Sequence, residues 1–228
     1  KHPRILQFLG IYEIDGATYL VSPFADYGAL PEYLKQHPQA DRGCLVGEIA
    51  EGLTYLHQCG IIHGDVKGNN ILVSSDHHAR LCDFGLARHV STRTSTSLRG
   101  AGSVPWQSPE LLRDGSRRTF QSDVYAFGIT IYEVLSGEEP YSHHNALVPI
   151  ITGVLFEGER PPTEPSSGLD GSSYSQFWDE AARCWAEDPT ERPSMFDVLR
   201  SLDHHRAESF ITARQIDLEA KLQGLDLG

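Results

Sequence analysis

The chain has 228 residues with 31 acidic and 19 basic side chains, a formal charge of -12, so no sequence-wide excess of Lys and Arg exists to meet nucleic-acid or anionic-membrane phosphates. At 39% hydrophobic and 22% charged residues it suits one domain with a real core and excludes a disordered tail. Cys44, Cys59, Cys82 and Cys184 form no CxxC pair, which argues against a disulfide framework and a thiolate zinc site. Cys82 and Cys184 lie among apolar neighbours and read as small buried hydrophobes. No apolar run is long enough to span a membrane, and no signal sequence is visible. A cytoplasmic, intracellular setting is expected on those absent signals.

In chain order, Lys1 is not an initiator methionine, and His2 to Leu6 reads as a turn entering a strand. Residues upstream are therefore expected to have been lost or trimmed. Ile5 to Ile14 and Thr18 to Ser22 are apolar runs split by Asp15-Gly16, a strand–turn–strand pattern. Leu30 to Gln36 reads as a short helix. Leu45, Ile49, Leu53 and Leu56 share one face of a helix over 44–58 that stops at Gly60. Ile61-Ile62, Ile71 to Val73 and Arg80 to Cys82 read as short strands. Residues 86–107 are rich in Ser, Thr and Arg with almost no periodic apolar pattern, which predicts a long functional loop. Val124 to Leu135 reads as a buried helix with Ser122 or Asp123 as its N-cap. Further helices are expected over Leu147 to Phe156, Tyr174 to Trp185 and Ser194 to Leu202. A loop over Pro161 to Gly171 separates the first two of these, and an amphipathic helix is expected over Ala207 to Leu225.

Three elements carry chemistry together: His63-Gly64-Asp65-Val66-Lys67-Gly68-Asn69-Asn70, Asp83-Phe84-Gly85 and Ser108-Pro109-Glu110. In this order and spacing they resemble the catalytic loop, metal-binding element and closing element of eukaryotic protein kinases over residues 1 to about 202. The resemblance implies an α+β protein-kinase-like fold with a mainly helical C-lobe. Residues 1–22 would be a remnant of the N-lobe, 23–29 the hinge, 30–202 the C-lobe and 203–228 a C-terminal extension. The segment from Gly102 to Glu110 resembles the tyrosine-kinase-like class of serine/threonine kinases, and the His-Gly-Asp run resembles fungal members.

The family's roles map onto residues present here. Phosphoryl transfer needs an oriented hydroxyl, metal ions and positive charge rather than covalent help from the protein. Asp65 would orient the substrate hydroxyl and Lys67 would touch the γ-phosphate. Asn70 and Asp83 would offer oxygen ligands to Mg²⁺. Ser22 falls at the gatekeeper position, Phe24 and Ala25 in the hinge, and Leu72 beneath the adenine of ATP. Ser103 and Trp106 would position a protein substrate. His63, Phe84 and Phe8 would stack in a structural spine, Asp123 would hold the catalytic-loop backbone, and Glu110 would pair with Arg192.

The sequence departs from the family in two places. Gly64 replaces the arginine that reads a phosphate on the activation loop, so the usual switch is absent. Ser91, Thr92, Thr94, Ser95, Thr96 and Ser97 lie beside Arg88, Arg93 and Arg99, and both autophosphorylation and a plain polar loop stay open there. No glycine-rich loop, strand lysine or glutamate-bearing helix precedes the hinge. The chain alone is therefore expected to bind ATP poorly and to transfer phosphate slowly or not at all. A pseudokinase that docks a partner is the alternative reading.

Overall fold

The structure is a computed structural model that describes residues 1–91, 102–114, 116–162 and 174–203. Thr92 to Arg99, most of the loop expected over Pro161 to Gly171, and the helix expected over Ala207 to Leu225 lie outside these residues.

Strands β1 (Gly10–Ile14) and β2 (Ala17–Val21) form an antiparallel hairpin around Asp15-Gly16. The first strand is shorter than expected because its leading residues pair elsewhere. Leu6 donates to the Leu81 carbonyl at 2.9 Å, and Leu81 donates to that of Arg4 at 2.9 Å. Helices α1 (Leu30–Gln36) and α2 (Arg42–Gln58) follow. Asp41 caps α2 by accepting from the Cys44 amide at 2.8 Å, so this helix starts two residues before the expected position. Strand β3 (Ile61–Ile62) pairs with β6 (Arg88–His89), and β4 (Ile71–Val73) pairs with β5 (Ala79–Leu81). The long loop thus opens with a short strand, and it closes with a helical turn at Val104–Trp106.

Helix α3 (Pro109–Asp114) leads towards α4 (Phe120–Ser136), the centre of the fold. Every α4 residue from Ser122 to Leu135 is buried, and apart from Ser122, Asp123, Thr130 and Glu133 the helix is apolar all round, as a central buried helix is. Its N-cap is Thr119, not Ser122 or Asp123. Thr119 Oγ1 accepts from the Ser122 amide at 3.1 Å, and Ser122 Oγ accepts from the Thr119 amide at 2.9 Å. This reciprocal box places Asp123 inside the first turn, where its carboxylate can serve other groups. Helix α5 (Leu147–Thr152) runs into a wider π-turn at Gly153–Glu157. Helices α6 (Ser175–Cys184) and α7 (195–203) complete the described chain.

One core joins α1, α2, α4 and α6, with Val46, Leu53, Phe127, Ile131 and Cys184 fully buried. Cys82 is buried as well, and burial raises its thiol to about 11. Mostly helical with short strands, the fold is α+β. No helix among the described residues is long and apolar enough to cross a membrane.

A buried ion pair ties α3 to the turn before α7. The Arg192 side chain has 0% exposure and meets Glu110 in two parallel bonds, of 2.8 and 2.9 Å. The carbonyls of Gln121, Ala186 and Glu187 accept its remaining N–H groups. Burial pushes the Glu110 carboxyl up, but Arg192 outweighs it and holds the carboxyl below its ordinary 4.5. The folded value is depressed, so the pair's contribution is present above that pH and is lost as pH falls through the depressed value. Replacing Arg192 by Met strands the buried carboxylate and should destabilise the fold by about 3–5 kcal/mol. Urea denaturation at pH 7 checks this, and a change below about 1 kcal/mol would mean that the pair is energetically idle.

Candidate active site

The polar turn after β3 hangs from α4. Asp123 Oδ2 accepts from the His63 amide at 2.7 Å, and Oδ1 accepts from the Gly64 amide at 2.8 Å. His57 on α2 adds its Nε2 at 3.0 Å. His63 is fully buried, and its Nε2–H donates to the Cys82 carbonyl at 3.0 Å. That bond fixes the tautomer, leaving Nδ1 to accept from the Asp65 amide at 3.3 Å. The His63 ring also packs on Phe84, with centroids 5.3 Å apart. Phe8 is 60% exposed and joins no ring contact among the described residues, so it does not extend that stack.

The turn presents Asp65, Lys67 and Asn70 as one group. Lys67 Nζ lies 2.9 Å from Asp65 Oδ2 and donates to Ser103 Oγ at 2.6 Å. Asn70 Nδ2 donates to both the carbonyl and Oδ2 of Asp65 at 2.8 Å. The Ser103 amide reaches Asp65 Oδ1 at 3.3 Å. Burial pushes the Asp65 carboxyl up, yet the Lys67 ammonium, Asn70 and the Ser103 amide together hold it below the usual range. Asp65 is therefore an ionised acceptor near neutral pH, aimed into a partly open site.

Asp83 leaves β5 with φ of 57°, an uncommon value for a residue other than glycine. Its exposed carboxylate is free to face outward apart from one bond accepted from Gly85 at 3.2 Å. Asn70 uses its amide hydrogens on Asp65, so its carbonyl oxygen remains as an acceptor. A carboxylate and an amide oxygen suit a hard divalent cation. On the opposite side, Leu72 is half-buried and bridges to Ala29. Ala25 is buried, Ser22 is exposed and Phe24 is 84% exposed. The segment between them and α1 is tied to β4 by Tyr27 donating to the Val73 carbonyl at 3.1 Å and Val73 donating to that of Gly28 at 2.9 Å.

Two residues that sequence reasoning missed bear on this site. Glu133 lies in the apolar helix α4, yet its Oε2 accepts from the Gly68 amide at 2.8 Å and from Trp106 Nε1 at 3.1 Å. It thereby joins the turn that carries Asp65 to the helical turn at Val104–Trp106; a lone acid in an apolar run is the available signal. Arg118 lies just ahead of α4 and is buried, and its Nε donates to the Gly64 carbonyl at 2.8 Å. Nothing in a local pattern links positions 64 and 118.

The geometry belongs with a known family. The family model described as protein tyrosine and serine/threonine kinase matches residues 1–202, and the chain belongs to that family. It is 29% identical to the dual specificity protein kinase shkC of Dictyostelium discoideum over 248 residues, covering 98% of this chain and 47% of that protein. It is 33% identical to mitogen-activated protein kinase kinase kinase 12 of Rattus norvegicus over 218 residues, covering 94% of this chain and 24% of the relative. The proto-oncogene tyrosine-protein kinase ROS of the same organism is 33% identical over 224 residues, covering 90% of this chain and 9% of its own length. The chain thus spans about half or less of the length of these relatives.

Burial lifts the Glu133 carboxyl from 4.5 to about 7 against the two hydrogen bonds it accepts. The folded protein therefore holds this proton more tightly than the unfolded chain. Glu133 makes stability fall as pH rises from about 4.5 to about 7. Glu133→Gln keeps an oxygen for Gly68 and Trp106 but cannot ionise. It should flatten that slope and raise the melting temperature at pH 8 relative to wild type. A lower melting temperature at pH 8 would show that the charge itself is needed.

Proposed function

We propose that this chain supplies the catalytic lobe of an ATP-dependent serine/threonine protein kinase of the tyrosine-kinase-like class, using Mg²⁺. The observation that carries this reading is the single hydrogen-bonded group of Asp65, Lys67, Asn70 and Ser103, with Asp83 at the exit of β5. In it Asp65 orients the substrate hydroxyl and accepts its proton. Lys67 presents its ammonium beside Asp65, where the γ-phosphate would arrive, and Asn70 and Asp83 hold the metal. A bound metal neutralises charge on the phosphates, and the residues named here orient the reactants. Ser103 and Trp106 position the protein substrate. Leu72, Ala25 and the Phe24 backbone meet adenine behind the Ser22 gatekeeper.

Residues 1–22 act as the last strands of a small lobe, 23–29 as the hinge and 30–202 as the large lobe. No glycine-rich loop or strand lysine stands ahead of the hinge in residues 1–22. Activity is therefore a property to test in the full protein that contains this chain. A second reading, a non-catalytic docking module, is favoured by one observation. Ile11, Tyr12, Tyr19 and Leu20 on the hairpin are all more than half exposed.

Radiolabelled phosphate transfer from ATP to the protein itself and to a generic basic protein separates the two. Asp65→Asn keeps the shape of the side chain but removes the proton acceptor. It should lower transfer by roughly 10²–10⁴-fold at unchanged folding. Equal transfer by Asp65→Asn would refute the assigned role. A folded wild type that transfers nothing would favour the docking module.

A further inference from the structure

Gly64 stands beside Asp65 at a φ of +84°, in the left-handed region, and no arginine occupies the position. The space such a side chain would need is already filled. A Cβ on Gly64 would lie 2.6 Å from Arg118 Cδ and 2.8 Å from the Leu86 carbonyl oxygen. We propose that Arg118 is the positioning residue that takes over this place and holds the Asp65 turn in working geometry without a phosphate on the activation segment. This inference rests on the kinase reading above.

Three observations support it. Arg118 Nε bonds the Gly64 carbonyl, a backbone partner that is always present, whereas an activation-loop phosphate is present only after modification. Its guanidinium also faces the chemistry. A Cβ on Gly102 would lie 3.3 Å from Arg118 Nη2 and 3.5 Å from Asp65 Oδ1, so both groups converge on the start of the substrate-side segment. Finally, the Arg118 carbonyl accepts from Arg88 Nη2 at 2.6 Å, which ties the same residue to β6 at the start of the activation segment. Burial lowers the Arg118 pKa from its ordinary value, and the charges of Asp65 and Asp123 oppose that shift. The cation therefore sits where two carboxylates of the site can use it.

Arg118→Gln tests this in the full protein with two readouts. Hydrogen exchange of the amides of residues 63–70 should speed up by at least tenfold while exchange in α6 is unchanged. The kcat for phosphate transfer should fall on the order of 100-fold with little change in KM for ATP. Gly64→Arg alone should be as impaired, because the two stems collide. Unchanged exchange at 63–70 in Arg118→Gln overturns the proposal whether or not the protein transfers phosphate. Wild-type activity that vanishes on phosphatase treatment overturns it too. Faster exchange in a protein whose wild type is silent supports the positioning role and sinks only the kinase reading.

A separate observation concerns the far side of the lobe. His143 and His144 lie between α4 and α5, and Glu159 follows the π-turn. Nε2 of His143 is 2.8 Å from Glu159 Oε1, and Nε2 of His144 is 3.0 Å from both carboxylate oxygens. One ligand atom from each residue lies within 4.8 Å of the others. We infer that these three side chains form a site for a transition-metal dication of the Zn²⁺ type. Two imidazoles and one carboxylate, with water in a fourth place, are a donor set for such ions rather than for Mg²⁺ or Ca²⁺.

The two halves of the site are fixed by the backbone. Tyr141 adopts φ of 57° while buried, and its carbonyl accepts from the His144 amide at 2.9 Å. The Glu159 amide donates to the Gly153 carbonyl at 2.9 Å, and a Cβ on Gly153 would lie 1.9 Å from Glu159 Oε2. Glycine at 153 is thus what gives the carboxylate its room. Tetrahedral Zn–N bonds of about 2.0–2.1 Å set ligand atoms about 3.3 Å apart, so the imidazole–carboxylate separations of 2.8–3.0 Å would open by a few tenths of an ångström. An ion there would clamp Tyr141 and the π-turn, and Tyr141, Ile150 and the π-turn's Val154 pack against Val104 and against Leu112 of α3.

Calorimetric titration of the full chain with Zn²⁺, and Co²⁺ absorption in the visible, test the inference. Wild type should bind one more equivalent than His143→Ala/His144→Ala, with tetrahedral Co²⁺ bands that the double variant lacks. Glu159→Gln keeps a hydrogen-bonding oxygen and should weaken binding by about tenfold or more. Equal stoichiometry and spectra in wild type and double variant would show hydrogen bonding alone and overturn the site.

Discussion

The carboxylate of Asp123 accepts from two successive backbone amides, of His63 and Gly64, and from the His57 ring. It is almost wholly buried at the start of α4, and the rest of the site depends on it. A short polar turn between two strands of two and three residues has little local reason to keep one shape. Bonded to the helix at the centre of the core, it inherits the rigidity of that helix. With His63 held inward by Asp123 and the Cys82 carbonyl, the Asp65 carboxylate is delivered to Lys67, Asn70 and the Ser103 amide.

The same logic recurs through buried acids on or near α4. Glu133 takes the Gly68 amide and the Trp106 indole at the other end of the turn. Glu110 locks α3 to Arg192. Asp123 and Glu133 are buried and Glu110 half-buried, each with partners in place, because an unpaired carboxylate would be expensive to bury. Their effects on stability have opposite sign with pH. Glu110 is held ionised by Arg192, whereas Glu133 has no cation bonded to it and is pushed towards the neutral form. Arg118 adds the matching cation from the segment that caps α4.

Much of this was legible in the sequence. Apolar spacing marks α2, the nearly all-apolar run from Val124 to Leu135 marks α4, and Asp15-Gly16 marks the hairpin. The polar residues from His63 to Asn70 mark one turn because they sit close together in the chain, and Asp83-Phe84-Gly85 follows it after the β4–β5 pair. What was not legible depends on partners far apart in the chain. The cap of α4 was placed at Ser122 or Asp123 because both are good cap residues, but the box begins three residues earlier at Thr119. The apolar Ile5 and Leu6 extend the expected first strand beyond its real start, because in the fold they pair with β5 instead. The meeting of Arg118 with Gly64, and of His143 and His144 with Glu159, is tertiary, so no local period announces it.

On the proposed kinase reading, Asp123 acts by fixing the turn of residues 63–70 rather than by taking part in transfer. Asp123→Asn is the most direct probe, because its amide would turn a donor towards one of the two backbone N–H groups. Phosphate transfer by the full protein, measured beside far-UV circular dichroism and hydrogen exchange, decides the matter. The account predicts retained helicity, fast exchange at residues 63 and 64, and transfer reduced on the order of 100-fold. Wild-type transfer with residues 63 and 64 still protected would contradict it.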